Sequence, residues 1–67
     1  MNKNALLETN LIWKIHSTDN RYFYVVIDEK IIILRINNFP EEPMFTIIDG
    51  LNIFDIEDKP IGWTFEE

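Results

Sequence analysis

The sequence predicts an all-β fold, a small antiparallel meander or barrel of five to six short strands. Three observations lead there. Two neighbouring runs, RYFYVVID and IIILRI, are almost wholly aromatic or β-branched, a composition that suits a pleated sheet and resists a helix. LIWKIH alternates, with Leu11, Trp13 and Ile15 on one face and Ile12, Lys14 and His16 on the other. Turn formers recur between short apolar runs, among them STDN, DEK, NNFPEEP and the pair Asp49 and Gly50.

In chain order, residues 1–10 hold one apolar pair, Leu6 and Leu7, in a polar setting, and read as a frayed N-terminal arm or a single helical turn. LIWKIH is the first strand. RYFYVVID and IIILRI form a hairpin that turns near residues 28–30, which is the central pair of the sheet. In NNFPEEP, Pro40 and Pro43 lack amide hydrogens and fix their own φ angles, so this segment is a loop or edge corner. MFTIID is the next strand, Asp49 and Gly50 turn it, and LNIFDI runs back. After Pro60, Gly62 permits a bend, and Trp63 and Phe65 can pack back onto the sheet. With no repeat and no linker, residues 1–67 form one domain.

Sixty-seven residues lie near the lower size at which one core holds unaided, and the chain has no cysteine to add a disulfide or thiolate metal site. The first ten residues lack an apolar segment of signal-peptide length, and the longest apolar run, residues 31–34, falls far short of the roughly 18 residues of a membrane span. A cytoplasmic protein with no membrane partner is expected.

Charge is unevenly placed. Residues 1–39 carry Glu8, Asp19, Asp28 and Glu29 against Lys3, Lys14, Arg21, Lys30 and Arg35, a net of +1. Residues 40–67 carry Glu41, Glu42, Asp49, Asp55, Glu57, Asp58, Glu66 and Glu67 against Lys59, a net of −7. Such a field repels nucleic acid and attracts basic surfaces, although the same acids also serve simply to solvate a small protein. The central hairpin is apolar on both faces, with Tyr22, Tyr24 and Val26 opposed to Phe23, Val25 and Ile27. A sheet with one wet face should alternate apolar with polar, so either the second face asks for a cover (the N-terminal arm, a second copy, or another protein), or a strongly curled barrel buries one face and leaves Tyr22 and Tyr24 partly exposed at its rim.

The sequence argues against an enzyme. His16 has Ser17 and Asp19 beside it in a turn, whereas a catalytic triad is assembled in space from separated segments. Gly50 and Gly62, the two glycines, cannot build a phosphate-binding loop. Asp55, Glu57 and Asp58 lack calcium-loop spacing, and a chain this short offers little room for a glycosidase cleft, so no cofactor and no metal are expected. Aromatics occur in RYFY, but only Arg21 adjoins them, short of the basic stripe of a single-strand binder.

The stretch LRINNFPEEPMFTIIDG followed by DIEDKPIGW resembles small, uncharacterised immunity-like bacterial proteins found beside toxins, over about residues 34–63. That resemblance implies a protein that binds and blocks another protein. On this reading Phe39, Met44, Phe54 and Trp63 supply apolar anchors. Glu41, Glu42, Asp55, Glu57 and Asp58 then supply charge complementary to a basic partner. The competing expectation is a homodimeric structural or regulatory protein whose acidic face only solubilises it.

Overall fold

The computed structural model describes residues 3–66. They form a short helix, α1 (Lys3–Glu8), and six strands: β1 (Leu11–Ile15), β2 (Tyr22–Ile27), β3 (Lys30–Ile36), β4 (Phe45–Asp49), β5 (Asn52–Ile56) and β6 (Trp63–Glu66). All six belong to one sheet in the order β5-β4-β3-β2-β1-β6. The all-β fold is as expected, with the Tyr22 to Ile36 hairpin at its centre. β1 to β5 form an antiparallel meander, whereas β6 lies parallel to β1, with Leu11 opposite Trp63 and Lys14 opposite Glu66. The sheet is therefore mixed.

Side-chain alternation sets the faces. Polar residues at Lys14, Arg35, Asp55 and Thr64 turn one parity of β1, β3, β5 and β6 outward, and the pairing carries that parity across β2 and β4. The other parity then builds a core of Trp13, Phe23, Ile32, Leu34, Ile47 and Trp63, with Leu11, Phe45 and Ile56 around it. On β2 this buries Phe23 and leaves Tyr24 and Val26 exposed. A tyrosine hydroxyl stays hydrated on the outer face, where Phe23 would gain nothing.

The sheet curls strongly. β4 and β6 are four strand spacings apart in sheet order, which in a flat sheet is about 19 Å. Yet the Phe45 and Phe65 rings lie 5.6 Å apart, and Phe23 and Phe65 meet edge-on at 5.1 Å. The concave side is thus a half-closed barrel filled with aromatics, and α1 stoppers it. Six residues are too few for a stable isolated helix. Tertiary contacts hold this one: Leu6 is fully buried, and its carbonyl accepts a 3.2 Å hydrogen bond from the Trp63 indole. Lys3 Nζ sits 5.5 Å from the Phe54 ring centroid, tying the helix to β5. Of the two expectations for residues 1–10, a frayed arm or a single helical turn, the described residues show the helical one, docked over residues 3–8, while residues 1 and 2 lie outside the described residues. No helix among the described residues is long and apolar enough to cross a membrane.

Two glycines have distinct uses. Gly50, at φ 62°, occupies the first central position of the β4–β5 turn, closed by Asp49 opposite Asn52. Gly62 needs space rather than φ: a Cβ there would collide with Asn10 Oδ1 and come within 3.3 Å of Asn10 Cα. This closeness lets Leu11 donate its amide to the Gly62 carbonyl at 3.0 Å, starting the β1–β6 ladder.

The β2–β3 turn is strained. Ile27 pairs with Lys30, so Asp28 and Glu29 form a two-residue turn with φ of 50° and 66°. Left-handed backbone costs most L-residues about 1–2 kcal/mol, and Asp tolerates it better than Glu. Glu29→Gly should therefore raise stability by about 0.5–1 kcal/mol after its extra unfolded-state entropy is deducted. Thermal unfolding checks this, because such a gain shifts Tm by roughly 2–8 °C in a domain of this size. An unchanged or lowered Tm would refute the strain argument.

Candidate partner-binding surface

The register of β4 and β5 brings the acids together. Phe45 pairs with Ile56, so the loop before β4 and the residues after β5 emerge at the same end of the sheet. Glu41 and Glu42 of that loop thus lie at the end where Glu57 and Asp58 begin the connection to β6. Asp55 projects on the outer face just inside this end, opposite Thr46. All five are exposed, and Glu41, Glu57 and Asp58 have no side-chain partner among the described residues.

The loop that carries Phe39, Glu41 and Glu42 is hydrogen-bonded internally and to the sheet. The Asn37 amide donates to the Met44 carbonyl at 3.1 Å, and the Glu42 amide to the Asn38 carbonyl at 2.9 Å. Glu42 Oε1 accepts from the Asn38 amide at 3.1 Å. Asn37 is the hub: its Nδ2 donates to the Pro43 carbonyl at 3.0 Å and to Thr46 Oγ1 at 2.7 Å, while Oδ1 accepts from Arg35 Nε at 2.8 Å. Thr46 Oγ1, on a buried residue, passes the chain on to Asp55 Oδ1 at 2.8 Å. Pro40, in a cis peptide with Phe39, and Pro43 stiffen the remainder.

Removing the hub should loosen the loop. Asn37→Ala leaves the Pro43 carbonyl and Arg35 Nε without these partners, a loss of about 1–3 kcal/mol. Denaturant unfolding should register it, with faster amide exchange at Asn38 and Glu42. Unaltered exchange at both amides would mean that Asn37 does not organise the loop.

Of the apolar anchors expected from the sequence, only Phe39 is free on the surface, at 56% exposure. Met44 and Phe54 are half-buried against the core. Trp63 requires a correction: it is 1% exposed, packs edge-on against Trp13 at 5.0 Å and spends its indole N–H on Leu6. It is a core residue and is unavailable to a partner. The sequence contains the signal, since Trp63 and Phe65 alternate with Thr64 and Glu66.

Elsewhere the arrangement offers little chemistry. Among the described residues no group of three or more His, Asp or Glu is placed to hold a metal ion. His16 Nδ1 accepts from the Thr18 amide at 3.3 Å, and Asp19 Oδ1 accepts from the Arg21 amide at 3.0 Å. That backbone bond, aided by the Arg21 guanidinium, holds the Asp19 carboxyl below its usual range and closes the β1–β2 turn. The turn walls a shallow hollow of about 610 Å³ on the outer face, floored by Tyr22, Tyr24, Ile31 and Ile33.

The outer face itself escaped the sequence-based selection of site residues. Cross-strand pairing aligns Ile53, Ile48, Ile33, Tyr24, Lys14 and Glu66 in one row across all six strands. Val26 and Ile31, paired beside that row, are 58% and 63% exposed, and Ile12 and Ile53 are similarly open. α1 packs on the concave side, so it does not cover this face. In comparison with known proteins, no family model, no curated protein and no solved structure matches the chain.

Proposed function

We propose that this chain is a non-enzymatic, cytoplasmic protein-binding module of the bacterial immunity or inhibitor kind. Its acidic loop end covers a basic surface of a toxin. The observation that carries this reading is an exposed aromatic, Phe39, held on a hydrogen-bonded loop at the end of the sheet that also carries Glu41, Glu57 and Asp58, three exposed carboxylates with no side-chain partner among the described residues. A loop already ordered loses little entropy on docking. Carboxylates left unpaired attract a basic surface from a distance and orient its approach. Phe39 then supplies the apolar contact that such interfaces place at their centre.

Affinity capture from the source cells, with bound proteins eluted along a salt gradient, tests this. The expected partner is a basic protein that is retained at low salt, released as salt screens the pairing, and poorly retained by Phe39→Ala. If the retained partners are acidic, or ignore both salt and the Phe39 substitution, the reading fails. A second reading, a homodimeric protein with merely solvating acids, is favoured by the uncovered outer face.

A further inference from the structure

We propose that Arg35 and Arg21 form a receptor for a carboxylate, the end of an Asp or Glu side chain on another protein. Of the six Lys and Arg residues, five are exposed and only Arg35 is half-buried. A charge drawn partly out of water calls for a counter-charge or a full set of hydrogen bonds. Arg35 has neither among the described residues. Its one side-chain bond runs from Nε to Asn37 Oδ1 at 2.8 Å. The carboxylate at the far end of that network, Asp55, is reached only through Asn37 and Thr46. Asn37 is itself fixed by the Pro43 carbonyl and by Thr46. The guanidinium is therefore held by its Nε edge, while both Nη groups and their four N–H donors are unused.

The surroundings select the ligand. Arg35 is the cross-strand partner of Tyr22, and the Ile36 amide donates to the Arg21 carbonyl at 2.7 Å, which sets Arg21 beside β3. Arg21, Tyr22, Arg35 and Asn38, together with Glu42, line a polar hollow of about 170 Å³. With Nε engaged, Arg35 presents its Nη edge, whose paired donors match the two oxygens of a carboxylate. Asp19 takes Nε and Nη2 of Arg21, which leaves Nη1 for a ligand. Because Asp19 and Glu42 are close by, a singly charged carboxylate meets less repulsion here than a phosphate dianion. Pockets that enclose a small molecule run from about 300 Å³ upward, so this hollow takes the end of a side chain. The receptor shares the loop end with Phe39, Glu41, Glu57 and Asp58, and it asks the partner for one acid of its own. A basic protein without that acid sets its cations against Arg21 and Arg35 and is disfavoured. That selective use rests on the inhibitor reading; the receptor does not.

NMR titration of the isotope-labelled chain with sodium acetate, at ionic strength held constant with chloride, tests the receptor. The expected result is a saturable set of shifts with a millimolar dissociation constant, centred on the Arg35 Nε–H and the Ile36 and Asn38 amides. Lys14 and Lys30 should not respond. Inorganic phosphate should bind no more tightly than acetate. Arg35→Lys keeps the charge but loses the paired donors and the Asn37 bond, and should weaken acetate binding by about tenfold or more. Wild-type shifts that fail to saturate, or that spread evenly over the Lys and Arg residues, mean an adventitious ion only and overturn the receptor. So does a folded Arg35→Lys chain that binds acetate as the wild type does. Phosphate that binds more tightly than acetate overturns the choice of a carboxylate. The wild-type shift map needs no substitution, so it decides the matter even for a variant that does not fold. No partner enters these measurements, so their failure is distinct from a failure of the salt-dependent capture that tests Phe39 and the acidic loop end.

Discussion

Trp63→Ala should leave the chain without a cooperative native state. The side chain is 1% exposed, so truncation opens a large cavity, and Trp→Ala changes of this kind cost about 3–5 kcal/mol. Domains of this size seldom hold more than about 3–5 kcal/mol in total, so one substitution removes most of it. Two further losses follow. Trp13 loses its edge-on partner at 5.0 Å, and the Leu6 carbonyl loses the indole donor that ties α1 across the mouth of the barrel. Near-ultraviolet circular dichroism and amide dispersion should collapse. Trp63→Phe, which keeps most of the volume but not the N–H, should instead lower stability by about 1–3 kcal/mol and stay folded. A Trp63→Ala variant that melts cooperatively near the wild-type midpoint would disprove the central place given to this residue.

The different fates of Trp63 and Phe39 show what a sequence of this kind reveals. Strand content was legible because β-branched and aromatic residues fill residues 22–27 and 31–36, and no turn former interrupts them. Strand facing was legible wherever one parity carried a charge, as at Lys14 and Arg35. It was ambiguous on β2, where both parities are apolar, and there the wish of the tyrosine hydroxyls for water decided it. The parallel pairing of β6 with β1 was not legible. It depends on curl bringing the far side of the sheet within reach, and on a glycine allowing Asn10 to approach, neither of which leaves a local pattern. The docking of α1 was hidden for the same reason, since Leu6 and Trp63 are 57 positions apart.

The candidate site was partly legible. Composition located the carboxylates, but only the β4–β5 register shows that Glu41 and Glu42 share one end of the sheet with Glu57 and Asp58. The outer apolar face was foreseen as a need for cover. Its make-up was not, because Ile12, Ile48 and Ile53 join Val26 and Ile31 only through pairing across strands.

Neutralising the free carboxylates of the loop end should slow partner association at low salt by about tenfold or more, the usual scale of electrostatic steering. The choice of residues follows from the hydrogen bonds. Glu42 caps the Asn38 amide, and Asp55 accepts from Thr46, so changing either would confound charge with loop structure. Glu41, Glu57 and Asp58 have no such duty among the described residues. Glu41→Gln, Glu57→Gln and Asp58→Asn together take the net charge from −6 to −3, far enough from zero to avoid precipitation. Each exposed change should alter stability by no more than about 0.5 kcal/mol, so folding is preserved. Stopped-flow association with the captured partner should show the deficit at low ionic strength and lose most of it at about 1 M salt, where the Debye length falls to about 3 Å. Dissociation should change less, because rim charges act mainly on encounter. Were the triple variant to associate at the wild-type rate in low salt, the carboxylates would be solvating groups alone, and the inhibitor reading would lose the physical basis given to it here.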